Sequence, residues 1–139
     1  MIAPDSSVLV AGFVSGHRFH DVALSALSEV RAGGSLIAHT TAETYSVLSA
    51  PGGVYRVEPH AIVAYLDQFL DGASPIQPRP GSYWEALSLL AENGRSGGAI
   101  YDALIALAAR DAGAELVSLD SRAEQTYALC GIEAQLLVD

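Results

Sequence analysis

Short apolar runs alternate with longer stretches of helical spacing along the whole chain, and several runs end on an acidic residue. Ile2-Ala3-Pro4, followed by Ser7-Val8-Leu9-Val10, predicts a short buried strand that leads into a turn or short helix, with Asp5 at the junction. From His17 to Ala32 the positions Val22, Ala23, Leu27 and Val30 keep a helical period, and Gly33-Gly34 supplies the stop. Ser35-Leu36-Ile37-Ala38 predicts a second strand, and Thr40-Thr41-Ala42-Glu43 opens a helix that Pro51-Gly52-Gly53 breaks. Pro59 suits the first turn of the next helix, whose Ile62, Val63, Leu66, Phe69 and Leu70 form one apolar face up to Gly72. Ser74-Pro75-Ile76-Gln77-Pro78 fits only an edge strand, because proline cannot donate to a ladder. Helical spacing resumes from Tyr83 to Glu92, and Arg95-Ser96-Gly97-Gly98 is a flexible approach to a segment, Ala99 to Ala109, that is apolar nearly all round. Ala114 to Leu119 predicts a buried strand delivering Asp120, then Ser121 to Leu129 a short helix and Ile132 to Val138 a last strand.

Short apolar strands alternating with helices imply an α/β fold with a mainly parallel central sheet, built as one domain over residues 1–139. Ligands of such sheets bind beyond the carboxyl ends of the strands. That rule gathers four acids on one edge: Asp5 and Asp120 directly after strands, Glu43 a few residues after one, and Asp102 near the start of the helix that leads into the Asp120 strand.

Composition narrows the possibilities. Half of the residues are hydrophobic, yet no run approaches the roughly 20 apolar residues of a membrane span, and no basic segment precedes an apolar one at the amino terminus, so a cytoplasmic location is expected. The single cysteine, Cys130, has no partner for an intramolecular disulfide and reads as a buried structural thiol. A net charge of −9 argues against a passive nucleic-acid binder that tracks phosphates with a basic surface. It does not argue against a nuclease, since carboxylates pooled in one pocket carry much of that charge and divalent cations reverse the local field. All basic residues are arginine.

Each acid also has a purely structural reading. Thr40-x-x-Glu43 matches a capping box, Asp120 suits the N-cap of the helix after it, and Asp5 suits the cap of a turn. Asp102 resists such a reading: a carboxylate among alanines and leucines needs a cation or strong hydrogen bonds, and interaction with the helix dipole contributes only about 1 kcal/mol at most. Together the four form a set of hard oxygen donors suited to Mg²⁺ or Mn²⁺. His17 and His20 lack companion ligands and read as surface residues. His39 lies beside the pocket, either packed there or within reach of substrate. Tyr83 with Trp84 reads as packing, with base stacking as the alternative. No phosphate loop and no Gly-x-Ser-x-Gly elbow is present.

Asp5-Ser6-Ser7-Val8-Leu9-Val10, Thr41-Ala42-Glu43, Gly98-Ala99-Ile100-Tyr101-Asp102-Ala103-Leu104-Ile105-Ala106 and Leu116-Val117-Ser118-Leu119-Asp120 together resemble the PIN-domain ribonucleases, in particular the VapC-type toxins. The resemblance spans the whole chain. It implies a PIN-like three-layer fold with the sheet between helices, Mg²⁺- or Mn²⁺-dependent cleavage of RNA, a VapB-type antitoxin as partner, and a homodimer. By resemblance Asp5, Asp102 and Asp120 are the metal-binding aspartates, and Glu43 is the acid that holds metal directly or through water; Ser7 and Ser118 match small polar positions lining such a pocket. The RNA-gripping surface is not identified by it, and Arg95 and Arg122 read either as contributors or as ordinary solubilising charges. Two rivals stay open: a PIN-type RNA-processing nuclease that is not a toxin, and a non-catalytic Mg²⁺-binding regulatory module. A receiver-like module would want paired early acids and a late lysine, and the chain has neither.

Overall fold

The computed structural model of the protein describes residues 1–137. The chain runs β1 (Ile2–Pro4), α1 (Ser6–Phe13), α2 (His20–Arg31), β2 (Ser35–Ile37), α3 (Ala38–Ser49), α4 (Pro59–Asp67) with a 3-10 turn at Gln68–Asp71, β3 (Ser74–Ile76), α5 (Pro80–Glu92), α6 (Ala99–Ala112), β4 (Glu115–Ser118), α7 (Glu124–Leu129) and β5 (Gln135–Leu136). The short segment after Asp5 is a helix, and the last strand is shorter than its apolar run. The predicted end of that strand at Val138 lies outside the described residues.

All strand pairs are parallel. β4 lies between β1 and β5, with Ala3 opposite Leu116 and Ser118 opposite Leu136, while β2 and β3 form a separate ladder with Ile37 opposite Ile76. β1 packs beside β2 without a ladder, so the two pieces make one interrupted parallel surface. Gly34 sets that approach. A Cβ there would lie 2.7 Å from both the Ile2 carbonyl oxygen and Val30 Cα.

Alternation along the strands creates two faces. Ala3, Ile37 and Leu116 pack with α5, α6 and α7 on one side, whereas Ile2, Leu36 and Val117 pack with α1 and α2 on the other. Every residue from Ala103 to Ala109 is buried, as the all-round apolar pattern of α6 requires. Each large aliphatic side chain buried this way contributes roughly 1.5–3 kcal/mol. Val10, Leu48 and Ile62 tie α1, α3 and α4 into a third cluster beside the first two. Gly113, at φ +68°, ends α6 in the left-handed conformation and turns the chain into β4. Among the described residues, no helix is long and apolar enough to cross a membrane.

Some side chains depart from the sequence reading. Trp84 is 73% exposed and Tyr83 is also exposed, so the pair does not pack into the core; the α5 positions facing inward are Ser82, Ala86 and Leu90. The helix predicted from His17 begins instead at His20, whose Nδ1 lies 2.8 Å from the Ala11 carbonyl oxygen, so His17 falls in the preceding loop. Cys130 is buried, and burial pushes its thiol pKa up, as a structural thiol requires.

Candidate active site at the carboxyl edge of the sheet

Asp5 follows β1 and caps α1. Its carboxylate accepts hydrogen bonds from the Ser7 amide at 3.0 Å, the Val8 amide at 3.4 Å, the Ser7 hydroxyl and, at 2.8 Å, the Tyr127 hydroxyl from α7. Only 2% of the residue is exposed. Burial raises its pKa, against the opposing effect of hydrogen bonds from Ser118, Ser7, Tyr127 and Val8. The cap reading is therefore right and incomplete, because a helix cap needs neither this burial nor a donor from the far end of the chain.

The two serines lace the ends of β1 and β4 together. Ser7 Oγ donates to Asp5 and accepts from the Leu119 amide at 2.9 Å, while Ser118 Oγ accepts from the Asp120 amide at 3.0 Å. Asp120 in turn accepts from the Arg122 amide at 2.9 Å and caps a turn; α7 begins later, with Ala123 at its N-cap position. The expectation that Asp120 caps a helix starting at Ser121 is thus corrected.

Glu43 sits in α3, which starts earlier than its threonines suggested. Ile37 occupies the N-cap position, Thr40 Oγ1 donates to the Ile37 carbonyl oxygen, and no capping box forms. The Glu43 carboxylate is left for the pocket, with His39 Nε2 at 3.8 Å, beyond hydrogen-bond length. His39 stacks on Tyr101 with ring centroids 5.1 Å apart and planes 12° from parallel, and its Nε2 has no hydrogen-bond partner among the described residues.

Asp102 and Asp111 lie on the same helix and show what is unusual about the first. The Asp111 side chain is 4% exposed, yet it accepts from Ser82 Oγ at 2.6 Å and the Arg79 amide at 2.9 Å and pairs with Arg110 at 3.1 Å. Burial would raise its pKa, but those partners outweigh burial and lower it. Asp102 is half-buried with no hydrogen bond to its carboxylate among the described residues, and its pKa is pushed up to about 6, first by burial and then by Glu43, Asp120 and Asp5. Among the described residues, none supplies the cationic or strongly bonding partner that its setting calls for.

Glu43, Asp120 and Asp5 thus all act on Asp102 at one edge of the sheet. Among the described residues no three His, Cys, Asp or Glu side chains close into a ready-made ligand cage. What the fold provides is a concentration of negative charge with one fully hydrogen-bonded carboxylate, Asp5, and one destabilised carboxylate, Asp102. Tyr127 is the member that sequence reasoning missed: a tyrosine on an apolar helix face carries no mark of its partner.

The PIN domain family model matches residues 2–129. The chain belongs to the PIN-domain family. This PIN domain is 42% identical over 137 residues to Ribonuclease VapC40 of Mycobacterium tuberculosis, with 99% of each chain covered. It is 34% identical over 131 residues to Ribonuclease VapC27 of the same organism, covering 94% of this chain and 93% of the relative. Among solved structures, VapC20 of Mycobacterium tuberculosis, described as a Sarcin-Ricin loop cleaving toxin, superposes with a TM-score of 0.68 at 17% identity, covering 95% and 96% of the two chains. FitAcB from Neisseria gonorrhoeae superposes with a TM-score of 0.69 at 15% identity, covering 99% and 98%. These last two likenesses establish the PIN-like three-layer fold, which the sequence motifs had implied.

Proposed function

We propose that this chain is a metal-dependent endoribonuclease, the toxin of a VapBC-type toxin-antitoxin pair, acting as a single PIN-like domain over residues 1–139 in the cytoplasm. The observation that carries this reading is end-to-end identity of 42% with a VapC ribonuclease. The acidic edge supports it chemically. Asp5, Glu43, Asp102 and Asp120 offer oxygen donors only, and the raised pKa of Asp102 marks negative charge that the protein leaves uncompensated. That donor set fits Mg²⁺ or Mn²⁺, which keep several waters and need only one or two direct carboxylates, so a closed cage is not required. Asp5, Asp102 and Asp120 are the proposed metal-holding residues, with Glu43 holding metal directly or through water. A divalent ion held there supplies Lewis-acid stabilisation of the charge that develops on the phosphodiester.

The rest falls to the chain. Ser7, Tyr127 and Ser118 fix the Asp5 carboxylate in one orientation, which keeps one donor position rigid. Ser118 anchors the Asp120 amide and so sets where the chain leaves β4. Asp102, held on the buried helix α6, faces the other three acids from a scaffold that cannot easily yield. Such positioning is the main contribution a protein makes to in-line displacement at phosphorus.

The proposed partners are RNA as substrate, a VapB-type antitoxin and a second copy of the chain. The test is cleavage of total cellular RNA by purified protein with Mg²⁺ or Mn²⁺, alongside an EDTA control and Asp5→Asn and Asp102→Asn variants. Discrete fragments that vanish with chelator and with either variant are expected. Folded wild-type protein that leaves all RNA intact with either metal would overturn the nuclease reading. A small adjacent reading frame whose product copurifies with this chain and silences cleavage separates a toxin from an RNA-processing nuclease.

A further inference from the structure

Two clefts flank the acidic edge and share Ser6 and Val47. One, of about 410 Å³, includes His39, Glu43 and Tyr101; the other, of about 450 Å³, is lined by His17, Phe19, Tyr55, Asp120 and Arg122 among others. Each therefore carries one of the acids, Glu43 in the first and Asp120 in the second, and a strand lying in both passes the acids on its way. The second cleft is large enough for a nucleotide.

Its chemistry is distinctive in a chain of net charge −9. Most arginines are engaged elsewhere: Arg31 donates to Gln68, Arg95 to Gln125, and Arg79 and Arg110 are bound to Asp111. The Arg122 side chain is instead 94% exposed in the cleft wall, and among the described residues its guanidinium makes only a 3.7 Å contact, to Asp120. Arg18 lies between two lining residues and holds its guanidinium 4.8 Å from the Phe19 ring centre. Arg56 follows the lining residue Tyr55 and adopts a positive φ of 51°. A polyanion approaching four carboxylates needs compensating charge beside them, and Arg122 supplies one such charge in the wall of this cleft. Phe19 and Tyr55 are both half-buried and both line this cleft, so part of each aromatic side chain is open to a ligand there.

We propose that this cleft is a nucleotide subsite for single-stranded RNA, in which a base stacks on Phe19 and Tyr55 and the adjoining phosphate is met by Arg122. This rests on the ribonuclease reading and adds where the strand is gripped next to the acids. Aromatic stacking accepts any base, so the subsite sets affinity and strand direction more than sequence.

The test uses Phe19→Leu and Arg122→Gln, with Arg31→Gln as control; Arg31 ends α2, near the amino ends of the strands. Binding of a short fluorescent single-stranded RNA is followed by anisotropy in an Asp102→Asn background, and cleavage kinetics are measured in the otherwise unaltered chain. Each cleft variant is expected to weaken binding about 10-fold and raise KM similarly, with kcat changed less than about twofold. Arg122→Gln should also reduce the slope of log affinity against log salt by about 0.7, the amount for one lost phosphate contact on a single strand. Arg31→Gln should change neither. Cleaving protein whose KM and binding ignore both cleft variants would overturn the subsite and leave the nuclease standing. Binding that falls in the cleft variants of a protein that cleaves nothing would sustain the subsite and remove the nuclease reading. Absence of both binding and cleavage would remove both.

Discussion

The Tyr127 hydroxyl donates to Asp5 Oδ2 at 2.8 Å across nearly the whole length of the chain, joining the first strand to the last helix through a buried carboxylate. Tyr127 is itself only 1% exposed, and burial, then the neighbouring Asp5 charge, raises its pKa, so it stays a neutral donor. Tyr127→Phe keeps the packing and removes this donor. It should cost about 1.5–3 kcal/mol of stability, the usual range for a hydrogen bond to a charged group, and raise the Asp5 pKa further. Denaturant unfolding reads the first effect. A weaker Mg²⁺-induced thermal shift than wild type reads the second, and an unchanged shift would show that the tyrosine serves only the fold.

Asp102→Asn should abolish cleavage while leaving the metal-free fold as stable or more stable. The sign follows from linkage. The Asp102 pKa is about 6 in the folded protein against an ordinary value of 3.8, so the folded state prefers the protonated acid. Its favourable contribution is complete below 3.8 and is lost as pH rises to about 6. Relative to wild type, the asparagine variant should therefore gain stability across that window and level off above it. Urea unfolding at about pH 4 and about pH 7.5 measures the difference, which half-exposure to solvent keeps small. A variant that loses stability relative to wild type as pH rises would contradict the assignment of burial and neighbouring charge as the causes of the raised Asp102 pKa.

The contrast between Asp102 and Asp111 also shows what a sequence can and cannot reveal. Both are acids on one apolar helix, and periodicity placed α6 and its burial correctly, because a pattern apolar on every side leaves few alternatives. Which of the two carboxylates is satisfied depends on Ser82, Arg79 and Arg110, and on residues brought from β1, α3 and β4 on the other side. Those are long-range contacts that local spacing does not encode. Likewise Thr40-x-x-Glu43 has the letters of a capping box, but α3 starts at Ala38, directly after β2, so the threonine falls inside the helix and bonds back to Ile37. Strand-end acids were legible from their position after apolar runs; Tyr127 and the cleft beside Asp120 became visible only once the fold brought α7 and the loop before α2 to the same edge.

Gly34→Ala should disturb the site from a distance. An added methyl would meet the Ile2 carbonyl oxygen and Val30 Cα, both backbone atoms, at 2.7 Å. Neither can swing aside like a side chain, so α2, β1 and β2 must separate, at a cost of about 1–3 kcal/mol for such overpacking. β1 carries Asp5 and β2 leads to Glu43, so cleavage should fall along with stability. Thermal melts and specific activity of the folded fraction check this; full stability with full activity would mean that the strands separate freely.

Divalent metal should stabilise the wild-type protein, and the effect should depend on pH through the same acids. Binding to the folded state alone stabilises it by about 2.7 kcal/mol at one hundred times Kd. Protons compete for Asp102, whose pKa is about 6, and burial raises that of Asp5, so Mg²⁺ or Mn²⁺ should shift the melting temperature strongly above pH 7 and progressively less as pH falls through about 6. Asp102→Asn should flatten this dependence by removing both a ligand and the proton that competes with the metal. Arg31→Gln, away from the acids, should keep it. Melting curves over a pH series with metal and with EDTA decide the matter: a shift that is independent of pH, or that survives in Asp102→Asn at wild-type size, would place the metal away from the acidic edge.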